Sequence, residues 1–316
     1  MIVQNMEFQE ISYALAASPD YQQDRLVFWA RSSGLFRSED GGINWQPAYA
    51  TLPLDTPLPT TAVAFSPNFA SDQTLFAGVF GAVLCSIDRG VHWKIMALPA
   101  PPPLVSALAI SPNYAQDGVV LAGTIEDGVF RSASRGDYWA IWNFGLLDRN
   151  ILCMAISPAF AQDETLWIGT ETGIFRTTNG GRSWREVDFP AGLVPVTSLA
   201  VAPRSGGTGR LYALSQADGL FVSKDGGENW LQIGREVIAG GVSSIGLEAH
   251  SAQGDTLLVA QGTSVWLSRD GGQHWTEMAN VLAAENGPAC LATPLGMHPG
   301  APLLIGQEKQ LQWIGL

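Results

Sequence analysis

Short apolar stretches, broken by Gly, Pro, Asp and Asn, run the length of this 316-residue chain. Between residues 150 and 189 they are Ile151-Leu-Cys-Met-Ala-Ile156, Thr165-Leu-Trp-Ile-Gly169, Gly173-Ile-Phe-Arg-Thr177 and Trp184-Arg-Glu-Val187. These stretches are rich in β-branched and aromatic residues, and the breaks are turn formers. No window sustains a 3.6-residue apolar period, so the pattern predicts strands and largely excludes helices.

The four-strand unit repeats. Trp45, Trp93, Trp139, Trp184, Trp230 and Trp275 are separated by 48, 46, 45, 46 and 45 residues. Each closes an octet: Ser38-Glu-Asp-Gly-Gly-Ile-Asn-Trp45, Ser86-Ile-Asp-Arg-Gly-Val-His-Trp93, Ser132-Ala-Ser-Arg-Gly-Asp-Tyr-Trp139, Thr177-Thr-Asn-Gly-Gly-Arg-Ser-Trp184, Ser223-Lys-Asp-Gly-Gly-Glu-Asn-Trp230 and Ser268-Arg-Asp-Gly-Gly-Gln-His-Trp275. A second element recurs between the first octets: Ser18-Pro-Asp-Tyr-Gln-Gln-Asp24, Ser66-Pro-Asn-Phe-Ala-Ser-Asp72, Ser111-Pro-Asn-Tyr-Ala-Gln-Asp117 and Ser157-Pro-Ala-Phe-Ala-Gln-Asp163. A period in the forties built from strands predicts an all-β fold, a β-propeller of four-stranded antiparallel blades. Radial stacking covers both faces of every sheet and leaves only short edges.

Counting strands predicts seven blades in one domain, at roughly 9–50, 60–97, 104–143, 150–189, 195–234, 241–279 and 287–316. The last holds three strands, Pro288–Thr293, Leu303–Gly306 and Gln310–Ile314, and the spare strand Ile2–Phe8 is expected to complete it and seal the ring.

Charge narrows the partners. Seventeen Lys+Arg against 29 Asp+Glu give a net −12, which disfavours nucleic acid, whose binders need a dense positive patch. Cys85, Cys153 and Cys290 are scattered and odd in number, which argues against a disulfide scaffold or a zinc cage; they read as small buried hydrophobes within strands. No apolar run approaches a membrane span, and the start shows no basic, apolar leader, so a cytoplasmic chain is expected. Nucleotide-loop and zinc-protease motifs are absent, and neither a cofactor nor a metal is expected.

The octet pattern Ser/Thr-x-Asp-x-Gly-x-x-Trp resembles the Asp-box, or BNR repeat, and the six copies span essentially the whole chain. That resemblance implies a propeller like those of sialidases, xyloglucanase-type glycoside hydrolases, sortilin-type receptors and photosystem II assembly factors. The residues themselves point to turn staples. Asp40, Asp88, Asp225 and Asp270, with Ser134 and Asn179 in the same slot, are placed to accept turn amides. Gly supplies the positive φ, and the six Trp cover the blade edges. His92 and His274 lie inside octets and His250 and His298 at dispersed positions, so they read as turn residues rather than ligands.

Octets and Ser-Pro elements are expected on one face of the disc, leaving the strand two-to-three loops and the blade crossings on the other. The crossings include Ala97-Leu-Pro-Ala-Pro-Pro-Pro-Leu104, Trp142-Asn-Phe-Gly-Leu-Leu147 and Phe189-Pro-Ala-Gly-Leu-Val-Pro195. That face carries ten acids (Asp55, Glu126, Asp127, Asp148, Glu171, Asp188, Asp218, Glu236, Glu285, Glu308) against four bases (Arg31, Arg149, Arg235, Lys309). An acidic surface with apolar patches suits a basic or mixed protein partner. Trp142, Phe144, Asp148, Arg149, Asp188 and Arg31 are the candidate binding residues, the 142–149 loop combining an aromatic anchor with charge.

Sialidase chemistry needs three convergent arginines and an Arg-Ile-Pro-like motif, which is missing. Arg37, Arg131 and Arg176 stand at repeat spacing before octets and read as blade-edge residues. Glycoside hydrolysis needs two carboxylates, and Asp148 with Asp188, or Asp55 with Glu126, are the available pairs. The expectation is a non-catalytic protein-binding or assembly module, with a glycoside hydrolase or glycan-binding lectin as the alternative.

Overall fold

The computed structural model describes residues 10–202, 209–215, 217–238, 242–248, 255–278, 281–282, 290–307 and 310–316. Strands follow one another as simple antiparallel meanders, forming six four-stranded sheets and a seventh with three strands among the described residues. In the first blade these are Ser12–Ala17, Val27–Arg31, Gly34–Ser38 and Gln46–Pro47. The seventh comprises Cys290–Ala292, Pro302–Gly306 and Leu311–Gly315.

The first strands stand side by side: Ser12–Ala17, Thr60–Phe65, Leu104–Ile110, Ile151–Ile156, Val196–Ala202, Val242–Glu248 and Cys290–Ala292. Each packs on the next and the last returns to the first, giving a closed seven-bladed β-propeller. The expected closing strand, Ile2–Phe8, lies outside the described residues.

Second and third strands carry the core because they are covered on both faces; Leu75–Val79 and Ala82–Ser86 are buried throughout. Core clusters cross blade boundaries. Phe28 and Leu35 of the first blade pack with Leu75 and Leu84 of the second, and Leu15, Val27 and Trp29 pack with Leu304 of the seventh. Fully burying such a side chain contributes roughly 1.5–3 kcal/mol, so the ring is stabilised at its seams.

Hydroxyls and thiols stitch the inner rim. Thr61 Oγ1 donates to the Val105 carbonyl, Ser106 Oγ to that of Ile151, Cys153 Sγ to that of Val196 at 3.3 Å and Cys290 Sγ to that of Ser12 at 3.6 Å. Two of the cysteines are thus weak donors across seams. Burial pushes the thiols of Cys85 and Cys290 up to about 11 and that of Cys153 up to about 12, which keeps them un-ionised.

Each octet joins the third and fourth strands as one hydrogen-bonded turn. The hydroxyl at its first position accepts the N–H of the second glycine at 2.7–3.0 Å in all six. The third side chain accepts the amide of position seven at 2.9 Å, whether it is Asp40, Asp88, Ser134, Asn179, Asp225 or Asp270. The Ser-Pro element departs from the sequence expectation by containing one turn of α-helix, at Tyr21–Asp24, Phe69–Asp72, Tyr114–Asp117 and Phe160–Asp163. A single turn is too short to show a period. Its terminal Asp accepts both the Ser hydroxyl and a following amide, as Asp24 does from Ser18 (2.8 Å) and Leu26 (2.9 Å). Octet and helical turn share a face: Gly41, Arg89, Arg135 and Gly180 donate to the carbonyls of Arg25, Gln73, Gly118 and Glu164.

These bonds make the octets acid-sensitive. Asn44, by its amide and side chain, holds the Asp40 carboxyl at about 2, and the Asn229 side chain and amide do the same to Asp225. At Asp270 burial raises the value, but bonds from His274, Ser268 and Gln273 outweigh it and leave about 2. Unfolded Asp titrates near 3.9, so this stabilisation is complete above about pH 4 and is lost as pH falls through about 2. The urea midpoint is expected to drop across that interval. An Asp40→Asn/Asp225→Asn/Asp270→Asn variant, using the residue already present at position 179, should drop less steeply. Parallel profiles would show that these carboxylates do not govern acid stability.

Candidate functional site

The crossing out of the third blade and the crossing out of the fourth flank the hairpin turn Glu171–Thr172. Two merging hollows lie there, of about 580 and 390 Å³, sharing Thr172, Glu186 and Leu193. Buried Phe175 and Phe189 form the floor. Leu147 and Leu193 stand on the walls, 80% and 76% exposed. Glu171, Glu186, Asp148 and Asp188 supply carboxylates, and Arg149 supplies one cation.

Asp148 builds this site rather than offering itself to a ligand. Its Oδ1 accepts the Asn150 N–H at 2.9 Å, and its Oδ2 accepts the Thr172 N–H and hydroxyl at 3.0 and 2.8 Å. Burial alone would raise its carboxyl, but these bonds prevail and depress it below the usual range. Asn150 completes the frame: its Oδ1 accepts the Glu126 N–H at 3.0 Å and its Nδ2 donates to Glu171 at 3.1 Å, linking the hairpins of two blades. Sequence reasoning missed Asn150, since nothing local marks a residue whose partners lie 24 and 21 positions away.

The structure brings Asp148, Arg149 and Asp188 together and separates the other candidates from them. Phe144 projects from the same crossing, 79% exposed, outside the hollows. Trp142 is half-buried, its ring 4.4 Å from the Arg131 guanidinium and 5.7 Å from that of Arg182, and its carbonyl accepts the Trp184 indole N–H at 2.7 Å. It packs beside the next octet. Arg31 belongs to the first blade, near Glu10 (3.4 Å) and over the Trp29 ring (4.3 Å), with burial lowering its pKa.

The octet residues are absorbed by architecture. Trp45, Trp230 and Trp275 donate within their own octets to Gly42, Gly227 and Gly272, and Trp93 donates to Ala48 and Gly90; Trp139 is buried. Arg37 donates to the Arg89 carbonyl and Arg176 to that of Gly226, each reaching the next blade's octet. His92 and His274 contact Asp88 and Asp270 at 2.7 and 2.6 Å, and His250 lies outside the described residues. Glu285, Glu308 and Lys309 also lie outside, so the loop-face balance among described residues is eight acids to three bases. Among the described residues no three His, Cys, Asp or Glu are grouped to hold a metal, and no helix is long and apolar enough to cross a membrane.

No protein-family model and no curated protein matches the chain. Solved structures do. An ancestral GH74 enzyme superposes with a TM-score of 0.72 at 16% identity, over 96% of this chain and 44% of that one. The GH74 xyloglucanase from Xanthomonas campestris gives 0.71 at 18%, over 95% and 51%. YCF48 bound to D1 peptide gives 0.66 at 16%, over 97% and 92%. This chain therefore spans about half the length of the GH74 enzymes and nearly all of YCF48. At such identities the likeness is one of fold.

Proposed function

We propose that this chain is a non-catalytic propeller of the Asp-box type that docks a protein partner through its loop face, with the groove between the third and fourth blades as the principal contact. The observation carrying this reading is the pair of solvent-exposed leucines, Leu147 and Leu193, lining the same merged hollows as the carboxylates Glu186 and Asp188. Exposed apolar walls gain from being covered, and the carboxylates select a basic or mixed segment. The frame of Asp148, Asn150 and Thr172 fixes the groove in advance, so little ordering entropy is lost on docking. The full-length likeness to YCF48, a propeller seen with a bound peptide, supports the same reading.

A glycan-directed reading is favoured by the half-length likeness to GH74 enzymes and by the carboxylates sharing these hollows. Hydrolysis, however, needs one carboxyl held protonated beside another. Asp148 is depressed and its oxygens are taken by the amides of Asn150 and Thr172 and the Thr172 hydroxyl, so it does not serve as the acid of such a pair.

The test is affinity for a partner co-purified from the native cell and then measured with purified components. Leu147→Glu with Leu193→Glu is expected to weaken binding at least about tenfold, because truncated or charged hot-spot positions cost more than 1 kcal/mol. The melting temperature should stay unchanged. Unaltered affinity refutes the groove, and reducing-sugar release from xyloglucan by the wild type would replace this reading with the glycan-directed one.

A further inference from the structure

Arginine stands immediately before the octet in three blades, at Arg37, Arg131 and Arg176. In two of them its guanidinium is fully engaged by octet groups. Arg37 donates to the carbonyl of Arg89, the fourth residue of the next octet, and to Glu39 at 2.6 Å. Arg176 donates to the carbonyl of Gly226, again a fourth residue, and to Glu228, the sixth, at 2.6 Å. For Arg131 the next octet is Thr177–Trp184, whose fourth residue is Gly180 and whose sixth is Arg182. Where Arg176 finds an acid, Arg131 finds a second guanidinium.

Trp142 takes the place of the other acceptor. Ala48, Trp142 and Val187 hold one backbone slot, their N–H groups donating to the carbonyls of Leu35, Val129 and Ile174. Val187 lies over the second glycine of the following octet, 3.3 Å from where a Gly227 Cβ would stand, and Trp142 lies likewise 3.4 Å from that of Gly181. The Arg131 guanidinium stacks on the broader indole at 4.4 Å, and its buried Nε has no hydrogen-bond partner among the described residues. The Arg182 guanidinium is 5.7 Å from the same ring, its Nη1 donating to Glu164 at 2.9 Å and to the Asn179 carbonyl at 2.8 Å. Burial first, and then Arg182, lower the pKa of Arg131, with Asp117 and Glu164 offsetting them in part. A half-buried cation without an acceptor is a cost to the fold. A local rule kept at two repeats and broken at the third marks a place shaped by something besides folding.

We infer that Arg131, at the seam between the third and fourth blades, is an oxyanion site whose ligand is a tetrahedral group of the phosphate class. The planar guanidinium offers Nε and Nη as a two-pronged donor that matches two phosphate oxygens. The indole holds that donor in place without taking its N–H groups. Arg182 adds a second positive charge from the neighbouring octet, which favours a dianion over a singly charged carboxylate. Free phosphate and a phosphorylated side chain present the same chemistry. None of Arg131, Trp142 and Arg182 lines the groove, so the inference holds or fails independently of the docking reading.

The test is isothermal titration of the full chain with sodium phosphate at neutral pH, ionic strength being matched with sodium chloride. The wild type is expected to give a saturable heat, and Arg131→Gln to weaken binding at least about tenfold through the loss of hydrogen bonds to a charged group. Arg182→Gln weakens it less, and Lys224→Gln, at an exposed lysine of the fifth octet, leaves it unchanged. Melting curves confirm that each variant is folded. In a proton–nitrogen correlation spectrum of the wild type, the Arg131 Nε–H signal, assigned by its Overhauser contact with the Trp142 ring, shifts with the same affinity. A purely structural arginine would not respond in this way. Tighter binding of O-phospho-L-serine than of phosphate identifies a side-chain-borne ligand, and the reverse order a free one. The inference is overturned by heat no greater than that of chloride, by acetate binding as tightly as phosphate, or by an Nε–H signal indifferent to phosphate. A folded Arg131→Gln that binds as the wild type does, or a Lys224→Gln that loses as much as Arg131→Gln, overturns it equally.

Discussion

Gly90→Ala is expected to lower the free energy of unfolding by about 2–5 kcal/mol, combining a left-handed backbone of about 1–2 kcal/mol with overpacking of about 1–3 kcal/mol. Gly90 has φ +80°, and a Cβ there would lie 2.3 Å from Phe28 Cζ in the preceding blade. Phe28 is fully buried, set edge-on against Phe65 and Trp93, and has nowhere to go. Gly180→Ala is the control: φ is +70°, but the nearest foreign atom is 3.7 Å away, so only the backbone term of about 1–2 kcal/mol remains. The repeats have run this comparison already. The preceding octet position holds Arg89 and Arg135 at φ 64° and 59°, whereas the second glycine is Gly in all six. Equal losses in urea unfolding for the two variants would remove seam packing as the reason.

Asp255→Ala is expected to cost about 3 kcal/mol, the range for breaking a buried ion pair while leaving one partner behind. Asp255 is fully buried, and its carboxylate meets Arg210 Nε and Nη2, both at 2.8 Å, and the Tyr212 hydroxyl at 2.7 Å. Arg210 and Tyr212 belong to the fifth blade and Asp255 immediately precedes the second strand of the sixth, Thr256–Gln261, so the trio ties that seam. The Asp255 carbonyl accepts the Gly271 N–H, as Arg25 does from Gly41, while its side chain turns back to the neighbouring blade. Tyr212→Phe removes one hydrogen bond and should cost only about 1 kcal/mol. A thermal midpoint for Asp255→Ala no lower than that of Tyr212→Phe would contradict the assigned role.

Such long-range ties divide what the sequence disclosed from what it hid. The octets were legible because Ser38, Asp40 and Gly42 bond within five residues, so the chemistry and the motif coincide. The Ser-Pro element was legible as a repeat. The helical turn inside it was not, because four residues carry no period. Trp142 looked like an exposed anchor, yet its environment comes from Arg131 and Arg182, in two different blades. Asp148 looked like a ligand-facing acid until its partner Thr172 was seen across the crossing.

The closed ring is tested most directly by hydrogen–deuterium exchange followed by peptide across all seven seams. Leu311 and Leu304 lie 3.3 Å from where a Gly42 Cβ would stand, as does the Trp313 ring from that of Gly41, and Cys290 reaches the Ser12 carbonyl. The seventh blade is thus joined to the first as any blade is to its neighbour. Protection of residues 12–17 and 302–315 is expected to match that of 151–177 and to be lost only in global unfolding. Exchange of 302–315 under conditions where 151–177 stays protected would mean that the ring is open at that seam.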